Sequence, residues 1–391
     1  MTVSSAPIAN AAERRRSLAA AISAMFIVNL VFFLSPPLMA VVLERHGADP
    51  AAIGINAAAM ACGIFFIGPL APRWLARFGP ARLMRWSLAV SVVIFLPMPI
   101  EPDALIWLPL RTVLGAAASI CWIASEAWIN ALAVEARRGR LMSIYSMAGY
   151  CGQALGPATL VVVGSEGFIP FGVAALLTAL GCILVSAGGN VRPDLGQPGR
   201  TPLVRFLWAA PLPMLAVFAQ AGAFQAYFSF FPAFGESREL PLETAFTLLT
   251  ATSLGGLLLN YPMGWLADRV NRTALAVTWL TLSSGGILLL PLVVPAGLGA
   301  LPFFVALGGI MSGTYSLAIV LVGARFRAAE LAAATTVFTM MYNAGALAGP
   351  AAAGLAIDAV GPIGLIAVMS GLLGLCIPVG LIVLMRRARR T

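Results

Sequence analysis

RTVLGAAASICWIASEAWINALAVEARRGRLMSIYSMAGYCGQALGP, residues 111–157, is the stretch on which the reading of this chain turns. It consists of two apolar segments joined by an arginine-rich turn, each long enough to cross a bilayer as a helix. The first segment carries Arg111 and Glu126, where a membrane-spanning helix ordinarily has no charge. Charges inside hydrocarbon are costly, so they face a protein interior or a water-filled cavity and mark a pathway.

The same pattern extends in both directions. The 391 residues are 60% hydrophobic and only 10% charged, with a mean hydropathy of +0.94. Charges cluster between apolar runs of roughly 20 residues, the length of a spanning helix. A spanning chain must satisfy its backbone as helices or a closed barrel. These runs lack the period-2 alternation of barrel strands, so helices are expected. Twelve are read, at about 18–43, 51–71, 82–100, 104–134, 140–164, 168–187, 206–233, 244–265, 273–294, 298–323, 331–356 and 361–385. The ERRR at 13–16 resembles a signal-peptide start. The apolar stretch after it is too long for one and lacks a small-residue cleavage site, so it is read as a retained first span.

The net charge of +9 is sorted by loop and is not a nucleic-acid signal. Every basic residue except His46 is arginine, and 21 of 24 arginines fall in alternate loops and the two tails. Only Arg45 and Arg238 lie on the other side, where Glu44, Asp49, Glu101, Asp103, Glu166, Glu236, Glu239, Glu243 and Asp358 collect. Arginine bias sets orientation, so both termini are expected in the cytoplasm. The cysteines (Cys62, Cys121, Cys151, Cys182 and Cys376) all lie in apolar runs without metal-like spacing and read as reduced, small hydrophobes. No metal or cofactor is expected. No phosphate loop or convergent catalytic set points to an enzyme.

Internal repetition divides the chain. Gly152-x-x-x-Gly156-Pro157 recurs as Gly345-x-x-x-Gly349-Pro350 at an offset of 193, and PRWLARFGPAR at 72–82 recurs as GWLADRVNRTA at 264–274 at an offset of 192. Two segments sharing nearly one offset argue for a duplicated half. The expected organisation is a cytoplasmic tail at 1–17, a six-helix bundle at 18–187, a linker at 188–205, a second bundle at 206–385 and a basic tail at 386–391. Parallel halves with a solute site between them are a known transporter architecture.

With these motifs in view, the sequence resembles the major facilitator superfamily over essentially its whole length. GWLADRVNR at 264–272 looks like that family's 2–3 loop motif in its 8–9 echo, with Asn271 where glycine is usual. The first copy has Ala76 in place of the aspartate. RTVLGAAA at 111–118 looks like the fourth-helix R-x-x-x-G motif, and Gly152-x-x-x-Gly156-Pro157 like a reduced antiporter motif. The SEAWIN…RGRLMSIYSMAGYCGQALGP run most resembles the YcaD-like branch. The resemblance implies an all-α membrane protein, with twelve transmembrane helices in two pseudo-symmetric six-helix bundles. It also implies a secondary transporter of a small organic solute, working by alternating access as a monomer in a bacterial inner membrane. A proton-independent uniporter, or a non-transporting sensor or assembly protein on the same fold, remains open.

Arg111 and Glu126 are 15 residues apart, so they point within about 60° of each other and lie about 22 Å apart along the helix. Gly115, Ser119, Trp122 and Asn130 continue that stripe, which reads as a cavity wall. Glu126 is read as a carboxylate that loads and releases a proton, helped by Arg111. The alternatives are pairing of Glu126 with Arg137, Arg138 or Arg140, and snorkelling of Arg111 to the outer surface. Further cavity candidates are Asn29, Gln220, Gln225, Tyr227, Tyr315, Tyr342 and Asn343, each of which could equally bond a neighbouring helix. Gly264, Asp268, Arg269 and Arg272 are read as a gate, with Asp268 latching one state. Gly152, Gly156, Pro157, Gly345, Gly349 and Pro350 are read as packing seams able to flex. One embedded acid among amides and aromatics favours neutral, amphipathic or cationic solutes. The partners expected are that solute, protons and the lipid bilayer, with no nucleic acid.

Overall fold

The computed structural model describes residues 11–68, 70–133, 138–188, 204–326 and 329–388, which form helices joined by short turns. The first half runs α1 (Ala11–Arg45), α2 (Pro50–Ile67), α3 (Ala71–Phe78), α4 (Pro80–Phe95), α5 (Ala104–Leu132), α6 (Arg138–Val163) and α7 (Ile169–Ser186). The second runs α8 (Val204–Ala209), α9 (Pro211–Glu236), α10 (Leu242–Ala267), α11 (Arg272–Val293), α12 (Leu301–Arg325), α13 (Ala329–Val360), α14 (Ile363–Gly374) and α15 (Cys376–Ala388).

Among the described residues, eight stretches are long and apolar enough to cross a membrane. One of these, Arg272–Arg325, is α11 and α12 joined through a 3-10 turn (Val294–Ala300) that reverses at Gly297, whose φ is 56°. Counting that stretch twice, and adding the bent pair α3–α4, α6 and α13, gives twelve spans. The last two are long enough but diluted by glycine and polar side chains.

Several boundaries differ from the sequence reading. α1 starts seven residues earlier than expected, since Glu13–Arg16 make a good polar first turn. The last span breaks after Gly374 into α14 and α15. The 2–3 connection holds a separate helix, α3, which ends at Gly79 with φ of 80° and meets α4 at 116°. The expected linker lies mostly outside the described residues, as do most of the N-terminal tail and the last three residues.

Glycines set the helix crossings. A Cβ at Gly63 of α2 would overlap the Thr112 carbonyl of α5, and one at Gly115 of α5 would overlap the Met60 carbonyl of α2. In the second half Gly255 of α10 meets the Val305 carbonyl of α12, and Gly308 of α12 meets the Thr252 carbonyl of α10. Gly63 to Gly255 is 192 residues and Gly115 to Gly308 is 193, the offset of the sequence repeat. The other repeated glycines behave alike. Gly152 and Gly156 seat α6 on the α1 backbone at Phe26 and Leu30–Leu34, while Gly345 and Gly349 seat α13 on α9 at Phe218 and Gly222. Small residues let backbones approach where lipid supplies no hydrophobic drive. The crossings are thus duplicated with the halves.

The halves meet where α2 packs on α13 and α6 on α10. Gly54 faces the Pro350 carbonyl and Gly354 the Pro50 carbonyl, closing the acid-rich end backbone to backbone. Phe33 of α1 adds an aromatic plug, its ring 6.1 Å from Phe224 and 5.2 Å from Phe228 of α9. Towards the arginine-rich end, Glu126, Asn130, Met147 and Thr339 are exposed, so the halves part there.

Gly63→Ala should lower thermal stability by about 1–3 kcal/mol through overpacking. Gly285→Ala, with open space around it, should be neutral or gain roughly 0.5–1 kcal/mol. Melting of the two variants in detergent separates a crossing glycine from an incidental one, and equal melting temperatures would contradict the close approach.

Candidate functional site

A cavity of ≈ 200 Å³ lies between the halves, lined by Phe33, Tyr150, Gln153, Gln220, Phe224, Ser312, Tyr315, Phe338, Thr339 and Tyr342. Both bundles contribute, through α1 and α6 on one side and α9, α12 and α13 on the other. Aromatic rings dominate the wall. Tyr315 packs edge-on against Phe338 at 5.5 Å and Tyr342 at 5.8 Å, a three-ring corner joining α12 to α13. The polar lining is amide and hydroxyl. Gln220 is only 5% exposed and its Oε1 has no hydrogen-bond partner. A buried acceptor left unpaired costs about 1–3 kcal/mol, which a donor on a bound solute would relieve.

Three of the sequence candidates therefore line the cavity, namely Gln220, Tyr315 and Tyr342. Glu126 is exposed on the parted side and is not one of the residues that line the cavity. No arginine reaches its carboxylate within 4 Å among the described residues; Arg137 lies outside them. Asn130 sits one turn further on, donating to the Glu126 carbonyl at 3.0 Å.

Arg111 is elsewhere. It is 1% exposed and donates from Nη1 to Asn56 Oδ1 of α2 at 3.1 Å, while Asn56 Nδ2 donates to the Ala104 carbonyl at 2.7 Å. Its Nε has no partner. Neither the cavity nor the snorkelling expectation holds. Arg111 lies one turn before Gly115 on the α5 face pressed to α2, and the 60° that separates it from Glu126 is enough to turn it away from the opening.

Other candidates bond neighbours instead of facing the opening. Tyr227 is fully buried and shares a 2.9 Å hydrogen bond with Thr252 of α10. It is on nearly the same face as Gln220 but about 10 Å further towards the sealed end, where the halves have converged. Asn29 donates to the Met25 carbonyl of its own helix at 2.8 Å. Ser119 is buried in its bundle, and Trp122 packs edge-on against Phe32 at 4.7 Å. Gln225 keeps a buried, unpartnered Oε1, and Asn343 is half-buried; neither lines the cavity.

Around the second-half loop motif, Asp268 pairs with Arg272 at 3.0 Å, and Arg272 Nε donates to the Ala267 carbonyl at 3.1 Å. Arg269 lies over the Trp265 ring at 3.7 Å, and Gly264 has open space around it. Asn271, standing where the family usually has glycine, caps α11 by accepting from Thr273 N and Ala274 N. These contacts are local to the loop.

Sequence reasoning missed Tyr150 and Gln153, because α6 was read only as a glycine seam. Once Gly149, Gly152 and Gly156 are given to α1, the adjoining face carries both residues into the cavity. It also missed Asn260 of α10, which accepts from Ser316 at 3.0 Å.

The profile of the Major Facilitator Superfamily matches residues 20–249 and 244–391. The chain belongs to that superfamily. Within it, the chain is 22% identical over 315 residues to the uncharacterized MFS-type transporter YfkF of Bacillus subtilis (strain 168), covering 78% of this chain and 73% of that protein. Solved structures of the nucleoside transporter NupG share its fold. A mutant superposes with a TM-score of 0.78 at 11% identity, covering 94% of this chain and 99% of that one. Another NupG structure gives 0.71 at 13%, covering 94% and 97%. The protein is a multi-pass membrane transporter of the major facilitator fold, and the space between its halves is where such a fold admits a small molecule.

Asn56→Leu should cost about 3–5 kcal/mol by stranding a buried guanidinium, and adding Arg111→Met should recover most of the loss because the charge is gone. Thermal unfolding of the single and double variants checks this; equal losses would show that the arginine is not held by Asn56.

Proposed function

We propose that the protein carries a small organic solute by alternating access, coupled to protons through Glu126. The observation that supports this best is the cavity shared by both bundles, with the Glu126 carboxylate exposed towards the arginine-rich end and paired with no arginine among the described residues. A solute with an aromatic or apolar face and hydrogen-bond donors suits the rings of Phe33, Phe224, Phe338, Tyr315 and Tyr342 and the free acceptor of Gln220. With Glu126 as the nearby charge, a neutral or singly cationic solute is favoured over a multivalent anion. NupG is a nucleoside transporter of the same fold, so nucleosides belong on the panel of solutes to be tried.

Glu126 binds a proton when it faces one side and releases it on the other, its state biasing which end of the cavity is closed. The bias needed is small, because a ligand shifts two conformations only by its differential affinity for them. The likeness of Gly152–Pro157 to an antiporter motif supports exchange over symport, hence export. Arg111, held on α2, acts on coupling only through the α2–α5 contact. The Asp268–Arg272 pair serves as the gate that must open at the arginine-rich end. By the arginine bias that end is cytoplasmic, with both termini there, in a bacterial inner membrane. The working unit is a monomer, since one chain encloses the cavity, and the likeness of the SEAWIN region to the YcaD-like branch supports membership of that branch.

Transport in proteoliposomes with and without a pH step tests this. Solute movement should respond to the step in wild type and lose that response in Glu126→Gln. Gln220→Leu should weaken apparent affinity for a donor-bearing solute about 3–10-fold, one hydrogen bond's worth. Equal pH responses in wild type and Glu126→Gln would remove the carboxyl from coupling, and flux indifferent to pH would make the protein a uniporter.

A further inference from the structure

The second bundle has a cleft of ≈ 570 Å³ at its arginine-rich end, between α8, the start of α9, α11, the end of α12 and α15. Arg272, Arg325 and Arg386 all line it, together with Thr273, and no acidic side chain does. Arg272 is shared with Asp268, but neither Arg325 nor Arg386 has an acid within 4 Å among the described residues. The cleft therefore holds two arginines that no acid among the described residues answers, beside a third that Asp268 pairs.

A second observation points to a ligand. Thr273 is 1% exposed, and its hydroxyl has no hydrogen-bond partner. Capping does not explain it, because Asn271 already takes the backbone N–H groups of Thr273 and Ala274. α9 also starts on the cleft wall at Pro211 and Leu212 with no side-chain cap, so the positive end of its dipole adds to the field there. A buried hydroxyl donor and guanidinium forks are complementary to phosphate oxygens.

We propose that this cleft binds the headgroup of an anionic phospholipid from the leaflet at the arginine-rich end. Trp208, 82% exposed, stands on its rim, and indole rings settle at headgroup level. Leu321 and Val383 continue the wall with apolar surface for the acyl chains, which a soluble anion would not need. Basic pockets between spanning helices hold such headgroups by these same forces. The site lies within one bundle, outside the solute cavity, and stands whether or not transport is proton-coupled.

Native mass spectrometry of the full-length protein, released from detergent containing equal phosphatidylglycerol and phosphatidylcholine, tests it. One phosphatidylglycerol should be retained preferentially. Arg325→Gln with Arg386→Gln should reduce that preference roughly five-fold for each arginine, and Thr273→Val should reduce it with no change of charge. Arg73→Gln with Arg77→Gln, an equal charge loss in the other bundle, should leave it intact. The proposal is overturned if phosphatidylglycerol is not preferred, if both arginine pairs lower the preference equally, or if Thr273→Val leaves it untouched. Displacement of the lipid by millimolar inorganic phosphate would likewise overturn it, by making this a free-anion site.

Discussion

Lipid gives helices no reason to leave it for one another, so what holds this molecule together is close approach of main chain to main chain. That approach happens where glycine removes the obstacle: Gly63 and Gly115 between α2 and α5, Gly255 and Gly308 between α10 and α12, Gly152 with Gly156 on α1, and Gly345 with Gly349 on α9. Each contact in one half has its counterpart 192 or 193 residues later. Duplication preserved the crossings more faithfully than the side chains around them, because a Cβ there meets backbone that cannot step aside. Larger side chains, by contrast, have room to differ: Trp122 becomes Tyr315 at the same offset, one ring packed on Phe32 and the other facing the cavity.

Polar side chains in this setting divide into two kinds. Most are committed to the fold, as with Tyr227 to Thr252, Asn56 to Arg111 and Ala104, and the Asp268–Arg272 loop. A few are left uncommitted at the opening, Gln220 and Glu126 foremost. Unpaired buried groups are costly, and where one lines an open cavity, as Gln220 does, another molecule can complete it. The same criterion that separates Gln220 from Tyr227 in the cavity also separates Thr273 from the capped loop beside it.

Span count and the twofold division were legible in the sequence, because each rests on a quantity that letters carry: apolar length and a constant offset. Which way a side chain faces was only partly legible. On α5, Arg111 and Glu126 are 60° apart by periodicity, and that angle could be read as one stripe or as two neighbouring faces. Packing against α2 decides it, and the deciding partner, Asn56, is an unremarkable letter in the second span. Depth was equally hidden, for Gln220 and Tyr227 share a face and differ only in how far the halves have converged. Gly63 and Gly255 carried the repeat offset all along, but with no motif around them they did not stand out from the other glycines.

The joint between the halves at Gly54 and Gly354 presents bare peptide to bare peptide. Such a bearing has no rotamers to reset and no salt bridge to break when one half tips against the other. Opening the acid-rich end would therefore part packed peptides and the phenylalanine plug beside them.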